Sequence, residues 1–272
     1  DGRCYEYREC RRCGSSACDP MPDAGALARM YGPAYANTGG ADSSIEDPKA
    51  PEEVLARLRT RPPGVFVDFG CGSGSLLAPA RGLGWTAGGV EFDAGVARQA
   101  AASSGCAVYN GLEELRRSTV VPVDVLHLGD VVEHLTAPLD TLRELVGLLR
   151  PTGWLLAQGP LEAGPCLFSA VLRGTRGLRR ARPVEMPPYH ALQATVTGQR
   201  VLFERAGLEA LEYRVSEVAW PAPGTLTPDV VRRPRSLGLF ALRKVSQAVS
   251  ALAPARWGNR YFYVGEPRQG AQ

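Results

Sequence analysis

The sequence lacks any apolar run long enough to cross a membrane, and it has only a small excess of positive charge. Its 31 Lys+Arg against 28 Asp+Glu give a formal net charge of +3, which by itself does not indicate nucleic-acid binding. The first residues are charged and rich in cysteine, where a signal peptide would be apolar. We therefore expect a globular, cytoplasmic protein that binds neither a membrane nor a nucleic acid.

Histidine is scarce, which narrows the choice of a general base. The three histidines are His127, His134 and His190, and an imidazole is the side chain that titrates near neutral pH without further help. Leucines flank His127 on both sides, a pattern typical of a buried strand. We therefore interpret His127 as a core histidine with its hydrogen bonds satisfied, so that the other two remain as candidates.

The N-terminus holds most of the cysteines but lacks the second C-x-x-C pair of an ordinary zinc ribbon. Cys10 and Cys13 have the knuckle spacing of a zinc site. Cys4 and Cys18 would complete an irregular four-cysteine site, or the missing pair would lie upstream of Asp1, since the chain does not begin with methionine. Free thiols are the third interpretation, and a reducing cytosol disfavours a disulfide.

The most informative stretch is Val65–Asp93, which predicts a strand, a glycine-rich turn, a helix and a second strand. The first strand contains Val65–Val67, and the second ends at Glu91. Between them, three glycines at alternate positions allow a tight turn without side chains, and these are Gly70, Gly72 and Gly74. This order is half of a doubly wound α/β sheet, which binds its ligand at the carboxyl ends of the strands.

The glycine spacing separates two cofactor classes that use such a crevice. A dinucleotide fold expects G-x-G-x-x-G and holds a pyrophosphate at the helix N-terminus. Here Asp68 stands two positions before the first glycine, where it would repel a pyrophosphate but suits a ligand that carries an ammonium and a sulfonium. Glu91 is placed for a ribose diol in either class. An NAD(P)-dependent oxidoreductase or epimerase is therefore the alternative.

Four segments in order resemble the class I S-adenosylmethionine-dependent methyltransferases. Asp68–Gly74 is similar to their first motif and Val90–Asp93 to their second, while Val123–Leu135 resembles the fourth strand and Leu142–Pro160 the following helix and fifth strand. The resemblance implies an α/β fold with a doubly wound, mainly parallel seven-stranded sheet. It also implies S-adenosyl-L-methionine as the cofactor.

The resemblance places the cofactor against the ends of these strands. Glu91 is expected to accept hydrogen bonds from both ribose hydroxyls, and Phe92 to cover one face of the adenine. Leu112 stands where the family often has an acidic residue, so apolar contact and backbone groups would recognise the adenine. The full predicted set is Asp68, Gly70, Cys71, Gly72, Gly74, Glu91, Phe92, Gly111, Leu112, Gly129 and Asp130.

The resemblance also suggests the division of the chain. Residues 1–49 would form a small cysteine-rich lobe and lid, similar to the zinc lobe of some small-molecule and sugar methyltransferases, with Zn²⁺ held by Cys4, Cys10, Cys13 and Cys18. Residues 50–272 would form the methyltransferase domain, with an insertion at about 220–256 that caps the pocket or contacts a second copy in a homodimer. Five arginines in Arg173–Arg182 would meet an anionic acceptor or form a solvated helix face.

The predicted reaction is methyl transfer to a small-molecule or sugar acceptor through an oxygen, nitrogen or carbon atom. His190 lies where the family builds its acceptor pocket, so we predict it as general base, with Tyr189 or Arg182 orienting the acceptor. His134 follows the fourth strand and has either a structural or a catalytic role. The other alternative is a binding protein in which a zinc lobe recruits a partner and the α/β domain is not catalytic.

Overall fold

The computed structural model describes residues 4–30, 49–175, 189–218, 224–253 and 257–268. Its strands are β1 (Glu6–Glu9), β2 (Ser16–Asp19), β3 (Val65–Phe69), β4 (Thr86–Val90), β5 (Ala107–Tyr109), β6 (Val123–Gly129), β7 (Leu149–Pro160), β8 (Leu192–Gln193), β9 (Leu208–Ser216) and β10 (Arg260–Pro267). Its helices are α1 (Ala24–Met30), α2 (Ala50–Leu58), α3 (Leu77–Gly82), α4 (Ala94–Ser104), α5 (Leu112–Arg117), α6 (Pro138–Val146), α7 (Leu167–Gly174), α8 (Val196–Arg205), α9 (Pro228–Arg232) and α10 (Pro234–Leu252).

A seven-stranded sheet in the order β5-β4-β3-β6-β7-β10-β9 forms the centre of the fold. The strands β3 to β7 pair in parallel, and β10 runs antiparallel between β7 and β9. The fully buried Leu126 and Leu155 belong to the apolar layer on one face, and the fully buried Phe66 and Val125 to the layer on the other. This covered, mainly parallel sheet confirms the predicted fold class.

The local elements around the glycine turn are close to their predicted positions. The helix after the turn is Leu77–Gly82, and the second strand covers Thr86–Val90, so it ends one residue before Glu91, where its end was predicted. The last strand, Arg260–Pro267, is buried over its first six residues. These elements alternate strand and helix along the chain, so all the parallel strands point the same way and their carboxyl ends share one edge of the sheet.

The N-terminal cysteines lie on a β-hairpin that joins the rest of the molecule. Strands β1 and β2 are antiparallel, and β2 also pairs with β8 through Ser16↔Gln193 and Ala17↔Leu192. The hairpin is therefore the outer part of a three-stranded sheet that includes a segment from the second half of the chain. The division of the chain at residue 49 stays a prediction. Tyr31 and Tyr35, whose spacing of one helical turn favours packing against the core over a lid on the cofactor, lie outside the described residues.

The insertion at about 220–256 is attached to the domain by a buried ion pair. The Arg243 Nη1 donates to Glu217 Oε1 at 2.9 Å, and each side chain is only 1% exposed. The Ser246 hydroxyl donates to the other oxygen of Glu217, and the Arg243 guanidinium lies 3.5 Å from the centre of the Phe168 ring. Helix α10 is thus fixed to β9 and α7 by charge as well as by packing.

In the part of the chain described, no helix has both the length and the apolar character that a bilayer span requires.

We predict that Glu217→Ala destabilises the protein strongly, because it leaves the Arg243 guanidinium buried without its carboxylate. The expected loss in free energy of unfolding is about 3–5 kcal/mol, measured by urea unfolding. The control is Glu52→Ala, which removes an exposed pair with Arg59 and is expected to cost no more than about 1 kcal/mol. Equal losses in the two variants would contradict the structural role of the buried pair.

Candidate functional site

The turn after β3 is built so that its backbone is open to a ligand. The φ angles are +81°, +51° and +79° at Gly70, Gly72 and Gly74, a range that L-residues with side chains rarely adopt. A β-carbon on Gly70 would lie 2.6 Å from Val131 Cγ2, so no other residue fits there. The backbone N–H groups of Gly70 and Cys71 both donate to the Val90 carbonyl, which ties the turn to the end of β4.

Glu91 directs its carboxylate at the glycine turn. One oxygen accepts from the Gly72 N–H at 3.0 Å, and the other accepts from the N–H groups of Phe92 and Asp93 at 2.8 and 3.0 Å. The Asn110 side-chain amide donates to the carbonyls of Glu91 and Phe92. Glu91 thus presents a carboxylate in a fixed position at the carboxyl end of β4, as expected. The role of Asn110 was not predicted, although its place at the end of β5 could have suggested it.

A buried polar row crosses the sheet beneath the site. The Asp68 Oδ1 lies 2.7 Å from His127 Nδ1, and the Gln158 amide nitrogen lies 3.3 Å from His127 Nε2. The three side chains stand on the adjacent strands β3, β6 and β7, and all are buried. This arrangement confirms His127 as a satisfied core histidine. It also engages one oxygen of Asp68, whose expected role toward the methionine ammonium stays a prediction.

The remaining residues predicted to contact the cofactor are Phe92, Gly111 and Leu112 at the ends of β4 and β5, and Cys71 on the turn after β3. The Phe92 ring is 59% exposed and meets the edge of Phe69 with ring centroids 5.5 Å apart. Gly111 has a φ of +100°, and Leu112 begins helix α5 with its side chain half-buried. Cys71 is buried next to Gly89, where an added β-carbon would lie 2.6 Å from its sulfur. The adenine contacts of Phe92 and Leu112 stay a prediction.

The end of β6 carries a second carboxylate with an unpredicted partner. Asp130 adopts a φ of +51° just after Gly129, the last residue of the strand. Both of its carboxylate oxygens accept from the Arg260 guanidinium at 2.6 Å. Arg260 is 3% exposed and begins β10, 130 residues later in the chain. The sequence contains no local signal for this pairing.

Two of the three predicted catalytic residues meet beside this edge. The rings of His134 and His190 lie 4.8 Å apart, nearly perpendicular. The His134 Nδ1 lies 2.8 Å from the Tyr189 carbonyl oxygen, and the His190 Nδ1 lies 2.9 Å from Glu162 Oε1. Tyr189, the third predicted residue, thus reaches the cluster through its backbone. Glu162 was not predicted, although it follows the carboxyl end of β7, where site residues gather.

Burial sets the charge state of this cluster. Together with the neighbouring Asp130 carboxylate, it raises the pKa of Glu133 to about 8, although His190 and Arg260 act in the opposite direction. Burial also lowers the pKa of His134 to about 4, with His190 acting in the same direction. His134 is therefore uncharged at neutral pH. Neither oxygen of Glu133 has a hydrogen-bond partner among the described residues.

The four N-terminal cysteines are not brought together. Cys10 and Cys13 lie on the hairpin turn, where the Gly14 N–H donates to the Cys10 carbonyl. Cys18 lies opposite Tyr7, which places it about 10 Å down the strands from Cys10 at about 3.3 Å per residue. Within the described ranges, the group of three metal-ligating side chains that converges is a different one: Glu133, His134 and His190. Zinc binding by the cysteines stays a prediction, and Cys4 is exposed outside β1.

The contacts between the arginine-rich segment and an anionic acceptor stay a prediction. Arg182 and most of the segment Arg173–Arg182 lie outside the described residues. The described residues at this edge carry carboxylates, imidazoles and one guanidinium, and that guanidinium, of Arg260, is paired with Asp130.

We predict that the cysteines differ in reactivity toward iodoacetamide. Hydrogen bonds from the backbone of Arg12 and Cys13 lower the pKa of Cys10, whereas burial, with Asp68 nearby, raises that of Cys71 far above its usual range. At pH 7 with EDTA, peptide mass spectrometry should show Cys10 modified at least about tenfold faster than Cys71. Cys10→Ser should remove the fast phase. Equal rates at the two cysteines would contradict the burial of Cys71.

Residues 45–213, more than half of the chain, match the sequence model of a family described as a methyltransferase domain. The chain belongs to this family. A search of curated proteins finds no match.

Solved structures share the fold of this methyltransferase at low sequence identity. The 1,6-didemethyltoxoflavin-N1-methyltransferase of Burkholderia thailandensis is 14% identical, with a TM-score of 0.58 and coverage of 97% of this chain and 100% of that one.

 A Haloferax volcanii protein solved in complex with the Trm112 methyltransferase activator is 14% identical, with a TM-score of 0.57 and coverage of 87% of this chain and 97% of that one. The plantazolicin methyltransferase is 12% identical, with a TM-score of 0.56 and coverage of 90% and 95%. At these identities the similarity shows the fold.

The family and the fold together make the chain an enzyme of the class I S-adenosylmethionine-dependent methyltransferases. This assignment goes against the alternative of a dinucleotide-dependent oxidoreductase. In this methyltransferase, the glycine turn and Glu91 lie at the carboxyl ends of β3 and β4. The Glu133–His134–His190 cluster lies beyond the carboxyl end of β6.

Proposed function

We propose that the protein transfers a methyl group from S-adenosylmethionine to a small-molecule or sugar acceptor. The observation that carries this proposal is the pairing of two sites along one edge of the sheet. A fixed carboxylate faces a turn without side chains at the ends of β3 and β4. A cluster of acid–base side chains follows the end of β6. Solved neighbours with bound S-adenosylhomocysteine, from the toxoflavin and plantazolicin methyltransferases, support the choice of cofactor.

The residues of the first site fit this cofactor. Glu91 accepts three backbone N–H bonds, and a carboxylate in such a position can accept from the two hydroxyls of a ribose instead. Gly70 and Gly72 leave the backbone accessible, and the exposed ring of Phe92 offers an apolar face. When bound, S-adenosylmethionine supplies a methyl group made electrophilic by the positive sulfur.

The second site fits the acceptor. The Glu162 carboxylate orients the His190 imidazole at 2.9 Å and would stabilise the charge that the ring gains on taking a proton. His134 holds the backbone of this segment through the Tyr189 carbonyl, so His134 positions the residue next to it. His190 is thus the side chain that we propose as the proton acceptor when no metal ion is bound at this site.

Three narrower parts of the proposal come from the sequence. Zn²⁺ held at the Cys10–Cys13 turn would need ligands from elsewhere in the protein. An anionic acceptor would be met by the arginines of Arg173–Arg182. The protein would act in the cytoplasm, and a homodimer is one arrangement for the insertion.

We predict that the chain binds S-adenosylmethionine in preference to NAD, and that Glu91→Gln weakens this binding at least about tenfold. The reason is the loss of charge-assisted hydrogen bonds, which are each worth about 1.5–3 kcal/mol. Isothermal titration calorimetry of the full chain with each cofactor measures both effects. The control is Glu113→Gln, an exposed glutamate on α5 that should leave the affinity unchanged. Preference for NAD would overturn the proposed function.

We also predict that His190→Gln lowers the turnover number by about 10²–10⁴-fold, the usual contribution of a general base. The affinity for S-adenosylmethionine should change less than twofold, because His190 does not contact the glycine turn. The assay is methyl transfer from radiolabelled cofactor to an acceptor found by screening small molecules and sugars. Glu162→Gln should give an intermediate loss in turnover. Unchanged turnover in His190→Gln would remove this residue from the mechanism.

A further inference from the structure

Glu133, His134 and His190 form a group of side chains suited to a metal ion. We propose that this group binds a divalent transition-metal cation of the kind that accepts both nitrogen and oxygen ligands, such as Zn²⁺ or Mn²⁺. The site is separate from the N-terminal cysteines. Its position beyond the end of β6 places the cation where the acceptor is expected, and this last part rests on the proposed function.

The spacing of the ligand atoms carries the first step. One atom from each of the three side chains lies within 4.8 Å of the other two. Ligands at about 2.0–2.1 Å from a tetrahedral ion stand about 3.3 Å apart. The distances between the ligand atoms would therefore have to shorten by no more than about 1.5 Å, which small rotations about the side-chain χ angles provide.

The orientation of the two imidazoles carries the second step. The Nδ1 of His134 faces the Tyr189 carbonyl oxygen, and the Nδ1 of His190 faces the Glu162 carboxylate. Since both partners are acceptors, each Nδ1 carries the hydrogen and each neutral ring has its lone pair on Nε2. Metal-binding histidines are held in this way, with the second nitrogen donating to a carbonyl or a carboxylate.

The environment of Glu133 carries the third step. Its side chain is 5% exposed, and neither carboxylate oxygen has a hydrogen-bond partner among the described residues. A β-carbon on Gly159 would lie 3.2 Å from Glu133 Oε2, so a larger residue there would crowd this oxygen. A buried carboxylate without a partner is unfavourable, and a cation coordinated by the two histidines would satisfy it.

The ligand set indicates which ions fit. Two imidazoles and one carboxylate suit transition metals rather than Mg²⁺ or Ca²⁺, which prefer oxygen ligands alone. Three protein ligands also leave a coordination position open, as in catalytic metal sites. An oxygen of the acceptor would fill it, and its lowered pKa would let it release its proton to solvent before it receives the methyl group. His190 would then be a ligand, so the ion would replace the imidazole as the activating group.

The test is a titration of the full-length chain with Mn²⁺, followed by electron paramagnetic resonance, and with Zn²⁺, followed by calorimetry. Both use protein treated with EDTA and carrying Cys10→Ser and Cys13→Ser, so that these thiols cannot bind the ion. We expect one ion per chain, with affinity reduced at least about tenfold by Glu133→Gln and by His190→Gln. Glu113→Gln, remote from the cluster, is the matched control and should bind as the parent does.

Two results would overturn the metal site. One is absence of metal binding by the folded parent protein, and the other is unchanged metal affinity in His190→Gln. This variant is informative because the His190 side chain is partly exposed, so its replacement should not prevent folding. Circular dichroism establishes folding for each variant. Titration of the same EDTA-treated protein with S-adenosylmethionine separates this inference from the proposed function. Cofactor binding without metal binding would refute the metal site alone, whereas metal binding without cofactor binding would refute the proposed function alone.

Discussion

The steric constraint at the turn after β3 is the feature on which the rest of the site depends. Gly70 runs at positive φ against Val131, with no room for a β-carbon. This close approach brings the ends of β3 and β6 together, while the hydrogen bonds from the turn to Val90 fix the end of β4. The carboxylate of Glu91 and the cluster after β6 consequently occupy the same edge of the sheet.

Three carboxyl groups give this part of the sheet its chemical character, and they differ in the partners that they contact. Asp68 is paired with His127 inside the sheet, and Asp130 forms a two-pronged ion pair with Arg260. Glu133 has no such partner among the described residues, although burial opposes its charge. The difference separates carboxylates that stabilise the fold from the one that is available to a ligand.

The fold class and the glycine turn with Glu91 could be predicted from the sequence, whereas several residues of the cluster after β6 could not. Strand, turn and helix from Val65 to Asp93 follow from local composition, and their contacts lie within a short stretch of sequence. The burial of His127 followed from its leucine neighbours for the same reason. Glu162 and Arg260 escaped prediction, because a single charged residue at a strand end or start is common and indicates no particular partner. A site made by Cys4, Cys10, Cys13 and Cys18 was one of the alternatives that the cysteine spacing and the resemblance left open, and the register of the hairpin separates Cys18 from Cys10.

By itself the sequence determined the α/β fold class, the glycine turn and the acidic residue after the second strand, because backbone conformation and strand burial depend on nearby residues. Only the tertiary structure decided which distant side chains meet. The pairing of Asp130 with Arg260 and the contact of His134 with His190 join residues that are far apart in the chain. Such contacts depend on the order of strands in the sheet, which brings the carboxyl ends of non-consecutive strands to one place.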